Sequence, residues 1–250
     1  MNVRVLTVAD LHLRVSLYKQ LEATVEKHQP DIVACVGDFL DADHPRPDGL
    51  LSPQEAASTL SSLPCKVVLV RGNHEDWPWP EFETAWNLTT TTLNALHGSA
   101  VVCGPLVIVG FPCLMGGDEF YGCGRELPDY SLSIWFKPIL HRFSSAARTL
   151  WLIHEPPSKA LASPFLFERI WRDAVEDYRP LLTVSGHDHR TPLETGRWHA
   201  KIGRTICLNL GQQVYPVPGY LHYSVLDFEF PGDQPSLPSK FTFQKFGDGL

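Results

Sequence analysis

Val3-Arg4-Val5-Leu6-Thr7-Val8 runs directly into Ala9-Asp10-Leu11-His12 at the start of the chain, and this junction decides the fold class. Residues 3–8 are mostly β-branched and aliphatic and read as a strand. A carboxylate and an imidazole follow at once at its C-terminal end. The same event recurs four more times. The apolar run 32–36 ends in Gly37-Asp38-Phe39-Leu40-Asp41, and the run 66–70 leads to Gly72-Asn73-His74-Glu75. The run 149–153 ends in His154-Glu155-Pro156-Pro157, and the run 181–184 leads to Gly186-His187-Asp188-His189.

Helical patterns separate these strands. Residues 16–28 place Leu17, Leu21 and Val25 on one face. Ser52-Pro53-Gln54-Glu55 is a capping box with proline at the first helical position, so a helix runs to about residue 63. Further helices are expected near 138–147 and over 164–178. Strands alternating with helices predict an α/β sandwich. Residues 100–103 and 106–109 read as a strand pair. The late strands, near 205–210, 221–228 and 240–244, lack clear helices between them and predict a second sheet. Between Phe111 and Trp135 both periodicities fail and glycine and aromatics accumulate, among them Phe120, Tyr121, Tyr130 and Trp135. This is expected to be an insert shaping a pocket within a single domain over 1–250.

The chain has 250 residues with a formal net charge of -7, from 21 Lys+Arg against 28 Asp+Glu, which argues against a general polyanion binder and makes nucleic acid an unlikely partner. Hydrophobic residues make up 44% and charged residues 20%, enough apolar material for a core and too little charge for global disorder. No apolar run approaches the length of a membrane helix, about 18 residues, so no membrane association is expected. The six cysteines form no Cys-x-x-Cys pair, and Cys35, Cys103 and Cys207 sit in strand-like runs. With no export signal apparent, reduced thiols and a cytoplasmic location are expected.

Five strand ends carrying metal-ligand residue types should converge on one rim, because ligands bind outside the carboxyl ends of strands in open α/β sheets. Asp10 and His12, like His187 and His189, are two residues apart and in extended chain would point the same way. Mixed carboxylate and imidazole ligands suit first-row metals such as Mn, Fe or Zn better than Ca or Mg.

The five blocks, in this order, resemble the pattern of the calcineurin-like metallophosphoesterases: Asp-x-His, Gly-Asp, Gly-Asn-His-Asp/Glu, a lone His, then Gly-His-x-His. The resemblance spans residues 10–189. It implies an α/β fold, a four-layer α/β/β/α sandwich of two mixed sheets. It also implies two divalent first-row ions, with Mn favoured and Fe, Zn, Ni or Co as alternatives. Asp10, His12, Asp38 and His189 would hold the first ion. Asp38, Asn73, His154 and His187 would hold the second, so that Asp38 bridges. His74 would stand beside the metals as a catalytic residue, oriented by Asp41.

Such a pair of ions answers the repulsion between an anionic phosphate ester and its nucleophile. The expected reaction is hydrolysis of a small or nucleotide phosphodiester by a metal-bridging hydroxide, with His74 stabilising charge or protonating the leaving oxygen. Ala42 and Asp43 stand where the family's protein phosphatases have an arginine. The blocks at His154–Pro157 and Cys207-Leu208-Asn209-Leu210-Gly211-Gln212 resemble instead the small bacterial and archaeal phosphodiesterase-like members. The alternatives are a phosphomonoesterase or nuclease and, further off, a non-catalytic scaffold. The oligomeric state is open. His28 closes a helix, where a cation suits the dipole. His44, His97, His141, His199 and His222 read as surface or packing residues, Asp188 as structural or exposed, and Glu75 and Asp76 as supports behind the ligands or simple turn residues.

Overall fold

The computed structural model describes residues 1–39, 49–75, 93–95, 99–111, 148–157, 161–162, 169–212, 220–231, 238 and 240–246. Its strands are β1 (Asn2–Val8), β2 (Ile32–Val36), β3 (Lys66–Val70), β4 (Leu93–Ala95), β5 (Ser99–Cys103), β6 (Leu106–Gly110), β7 (Thr149–Leu152), β8 (Leu182–Ser185), β9 (His199–Ile202), β10 (Thr205–Asn209), β11 (Tyr223–Glu229) and β12 (Lys240–Phe246). Its helices are α1 (Val15–His28), α2 (Pro53–Ser62), α3 (Arg169–Tyr178) and α4 (Arg190–Thr195).

Two six-stranded mixed sheets result. The first has the order β12-β11-β1-β2-β3-β4 and the second β5-β6-β7-β8-β10-β9. In the first, β1 through β4 are parallel, β11 lies antiparallel beside β1, and β12 pairs antiparallel with β11. In the second, β6, β7, β8 and β10 are parallel, flanked by antiparallel β5 and β9. The late strands therefore do not form a sheet of their own. β11 and β12 extend the first sheet and β10 the second, which corrects the expectation of a separate closing sheet.

Side-chain alternation builds the layers. Along β1, Val3 and Val5 face the second sheet, while Leu6 and Val8 face α1 and α2. Ile32, Ala34 and Val36 of β2 likewise meet Ile108, Leu150, Leu152 and Val184 between the sheets. The outer face of the second sheet buries Val107, Val109 and Trp151 against Trp171 and Val175 of α3. Helices, sheet, sheet and helix thus form the expected four layers. Strands buried on both faces read as unbroken apolar runs, which is why they were legible.

α1 buries Leu17, Tyr18, Leu21 and Val25, and α2 carries the complete capping box of Ser52 and Glu55. The helix expected near 138–147 and the start of the one expected over 164–178 lie outside the described residues. So does the insert, apart from Phe111. That ring is fully buried, 5.0 Å from Trp151 and 5.5 Å from Trp171, and belongs to the core rather than to the insert. Cys35, Cys65, Cys103 and Cys207 are free thiols, and burial raises the Cys35 thiol to about 12. Among the described residues no helix is long and apolar enough to cross a membrane.

Candidate metal centre

The carboxyl ends of β1, β2, β3, β7 and β8 open on one rim. There the backbone leaves the extended conformation. Asp10, His12, Asp38 and His187 have φ of 55°, 46°, 50° and 61°. Residues other than glycine seldom adopt this left-handed region, and each such position costs roughly 1–3 kcal/mol unless its surroundings enforce it. Here they do. The amide of Asp10 donates to the Gly37 carbonyl (2.9 Å), that of His12 to the Asp38 carbonyl (2.8 Å) and that of Leu13 to the Phe39 carbonyl (2.9 Å). The loop after β1 is zipped onto the loop after β2. Asp10 and His12 therefore converge through left-handed turns and not through extended alternation. The same correction applies to His187 and His189, which lie in a turn after β8.

Each aspartate divides its oxygens between two tasks. Asp10 Oδ1 accepts the His187 amide (3.0 Å), and Oδ2 lies 3.5 Å from His189 Nε2. Asp38 Oδ1 accepts the His74 amide (2.9 Å). Its Oδ2 lies 3.1 Å from His154 Nε2 and 4.0 Å from both His12 Nε2 and His74 Nε2. Asn73 Oδ1 is 2.8 Å from His187 Nδ1 and 3.1 Å from His154 Nε2. Three groups result in which the ligand atoms all lie within 4.8 Å of one another: Asp10, His12 and His189; His12, Asp38 and His74; and Asp38, His154 and His187. All seven candidate ligands and His74 meet on the rim. Asp41 lies outside the described residues.

The carboxylates and imidazoles of the rim set one another's charge. Burial would raise the Asp38 carboxyl, but His154, His12 and His74 hold it below the ordinary carboxylate range. Burial would likewise raise Asp10, and His189 lowers it. Burial opposes charge on His154, yet Asp38 beside it prevails and pushes it up to about 10. His189 is raised against its burial by Asp10. His12 is pushed down to about 4 by burial, and His187 is lowered chiefly by burial and then by His154. Two buried carboxylates thus favour positive charge on the imidazoles beside them, a demand that divalent ions would also meet. His187 Nε2 and Asp10 Oδ2 are buried without a hydrogen bond among the described residues, although imidazole nitrogens and carboxylates seldom lie buried so. Open donor atoms in a nitrogen and oxygen set fit first-row divalent ions.

Supporting residues orient this set. His154 Nδ1 donates to the Val36 carbonyl (2.9 Å), which leaves Nε2 to face Asp38. Gly37, at φ +79°, has no room for a side chain, since a Cβ would strike His154 Nδ1. At Gly72 a Cβ would come within 2.5 Å of the Asp38 amide. Asp188 is buried and caps α4, accepting the amides of Arg190 (3.0 Å) and Thr191 (3.1 Å), the structural one of the two alternatives expected for it. Two supports were missed. Fully buried Asn209 donates to the Asp188 and Leu161 carbonyls (both 3.0 Å), tying the end of β10 to the loop that carries His187 and His189. Buried Glu155 accepts the Trp171 indole N–H (3.1 Å), linking the His154 loop to α3. The sequence signal for both was their place beside a motif, not their spacing.

The other histidines behave as packing residues where they are described. His222 is buried and bound to the Gly211 carbonyl (3.0 Å), while exposed His199 packs its ring on Trp198 and Phe243. His44, His97 and His141 lie outside the described residues. His28 is the last residue of α1, as expected, but its charged form is disfavoured there. Burial, then Lys27 and Arg4, lower its pKa, and its ring meets the Tyr223 hydroxyl (3.0 Å). Arg4 serves the end of α1 alongside Lys27 of the last turn, its guanidinium donating to the His28 carbonyl (3.0 Å).

Carboxylate, amide and imidazole donors from five loops, gathered above a two-sheet sandwich, define the class as that of metal-assisted hydrolases. The family model described as calcineurin-like phosphoesterase matches residues 3–191, and the chain belongs to that family. Its chemistry is hydrolysis of phosphoesters. No curated protein matches the sequence. One solved structure has a TM-score of 0.68 at 17% identity, covering 99% of this chain and all of its own. The chain is also similar to the protein TT1561 of Thermus thermophilus, with a TM-score of 0.61 at 14% identity over 89% of this chain and 94% of that one. A novel archaeal phosphodiesterase has a TM-score of 0.50 at 9% identity over 98% and 100%. At these identities the likeness is one of fold.

Proposed function

We propose that this protein is a phosphodiesterase that hydrolyses a small or nucleotide phosphodiester with two divalent ions. One observation carries the reading: Asp38 Oδ2 stands between His12 Nε2 at 4.0 Å and His154 Nε2 at 3.1 Å, where a single carboxylate can serve both ligand groups. Asp10, His12, Asp38 and His189 would hold one ion, and Asp38, Asn73, His154 and His187 the other. When bound, the ions supply charge neutralisation for phosphoryl oxygens and acidify water, and Mn is the favoured metal. The chain's own part is to fix geometry and move protons. His74, with 35% of its side chain exposed, lies 4.8 Å ring to ring from His12 and opens toward solvent, where it can donate a proton to a leaving oxygen.

The preference for diesters is supported by the absence of an arginine at 42–43 and by the His-Glu-Pro-Pro block. The shared fold of the archaeal phosphodiesterase agrees with it. The test is turnover of a panel of phosphomonoesters, cyclic and linear diesters, pyrophosphates and short DNA, with Mn supplied and then chelated. Metal-dependent turnover led by small diesters is expected. Full activity after chelation would sink the metal reading, and preferential turnover of monoesters or DNA would move the substrate to the alternatives.

A further inference from the structure

We propose that Glu75 is a positioning residue for the shared ligand, its carboxylate fixing where Asp38 presents its inward oxygen. This rests on the two-ion reading above. Glu75 is 4% exposed, yet it is the last residue of a short 3-10 turn, Asn73–Glu75, at the rim. Its Oε2 accepts two amides, that of Asp38 at 2.8 Å and that of Gly72 at 2.6 Å. Those amides follow different strands, β2 and β3. One oxygen therefore joins the two loops that carry Asp38, Asn73 and His74.

The joint has a return path. Asp38 Oδ1 accepts the amide of His74, the residue next to Glu75. Glu75 holds the backbone of Asp38 while Asp38 holds the backbone beside Glu75. The pair forms a closed ring, and within it Oδ2 is the Asp38 oxygen turned toward His154, His12 and His74. Asp38 has φ 50°, a conformation that needs enforcement. Its neighbour Gly72 is packed so close that a Cβ would reach the Asp38 amide, so the two loops have little freedom to separate around the carboxylate. A charged acceptor gives short, strong bonds to both donors. Without it, two buried amides would lose this partner and Asp38 would be free to relax out of the left-handed region.

A plain structural role would move stability alone, whereas positioning also moves metal affinity. Wild type, Glu75→Gln, Glu75→Asp and Glu75→Leu are prepared metal-free, melted without metal and titrated calorimetrically with Mn. Glutamine keeps an acceptor at the same reach, so Glu75→Gln is expected to bind two Mn with close to wild-type affinity. Leucine has no acceptor. Glu75→Leu is expected to lose about 10–100-fold in Mn affinity, the usual scale for supports behind a ligand, and to lose kcat at saturating Mn with little change in KM. Aspartate is one methylene short of spanning both amides and is expected to fall between the two. It decides the matter if Glu75→Leu does not fold. Unchanged Mn affinity in Glu75→Leu, or in Glu75→Asp where leucine does not fold, overturns the role of Glu75, as does an equal loss in Glu75→Gln. A wild-type chain that binds no Mn overturns the metal reading itself, and this inference with it.

Discussion

His74 differs from the residues around it in one respect that matters for chemistry. The side chains of Asp10, His12, Asp38 and His154 are 0%, 4%, 3% and 0% exposed and that of His189 is 23%, whereas His74 is 35% exposed at the same rim. A residue that works on a leaving group must meet substrate, and a ligand need not. His74→Ala is accordingly expected to keep both metals by elemental analysis and to lose roughly 10²–10⁴-fold in kcat, the scale of general acid catalysis. The loss should shrink on nitrophenyl esters, whose leaving group needs little protonation. An equal loss on good and poor leaving groups would assign His74 to charge stabilisation. A matching fall in bound metal would make it a ligand, as its grouping with His12 and Asp38 within 4.8 Å allows.

Two helix ends show how far an element's own chemistry extends. At the start of α2, the Ser52 hydroxyl accepts the Glu55 amide (3.2 Å) while Glu55 accepts the Ser52 amide (2.7 Å). The cap is exposed, and neither of its side chains belongs to a rim motif. Ser52→Ala is expected to cost about 1 kcal/mol, or roughly 2–4 °C in Tm for a chain of this size, with kcat and KM unchanged. A loss of activity would show that α2 is coupled to the rim.

The end of α1 carries a pH effect. His28 has its pKa lowered in the folded chain by burial and by the cations Lys27 and Arg4. Around and below its ordinary value, about 6.5, the unfolded chain therefore binds more protons at this position than the folded one. Stability is intact above that pH and falls as pH drops through the folded value. His28→Gln is expected to narrow the fall in Tm between about pH 7 and pH 5, read by thermal melts at matched ionic strength. A mutant whose Tm falls as steeply as wild type would assign the loss to other groups.

At the scale of the whole molecule, the rim joins the two sheets. Asp10, His12, Asp38 and Asn73 follow strands of the first sheet, and His154, His187 and His189 follow strands of the second. Ions held between them would bind the folded chain and not the unfolded one. At free Mn about a hundred times Kd, one site stabilises by about 2.7 kcal/mol, which raises Tm by roughly 5–10 °C for a chain of this size. Asp38→Asn, which weakens both groups at once, should abolish most of the shift. A Tm indifferent to Mn and chelator would contradict a centre shared between the sheets.

The sequence by itself determined the strand-and-helix alternation and the residue types at the rim, and the four layers followed only from the family resemblance those residues carry. It could do so because strands buried on both faces must be apolar throughout, and because five polar blocks at strand ends cannot be turn chemistry alone. Ser52-Pro53-Gln54-Glu55 marked the start of α2 for a related reason: a cap is made by residues three apart, so its geometry is local. Tertiary structure alone decided the remainder. Which sheet receives β10, β11 and β12 depends on edges built by strands far away in sequence. The short β4 and β9 and the single-turn α4 carry too few residues for a period to register. Asp10 and His187 point inward because left-handed backbones are held by hydrogen bonds from other loops. The roles of Glu75, Glu155 and Asn209 lie in partners between 3 and 48 positions away. A buried carboxylate or amide does not declare in its own letter which backbone it will satisfy, and that choice is made only when the loops meet.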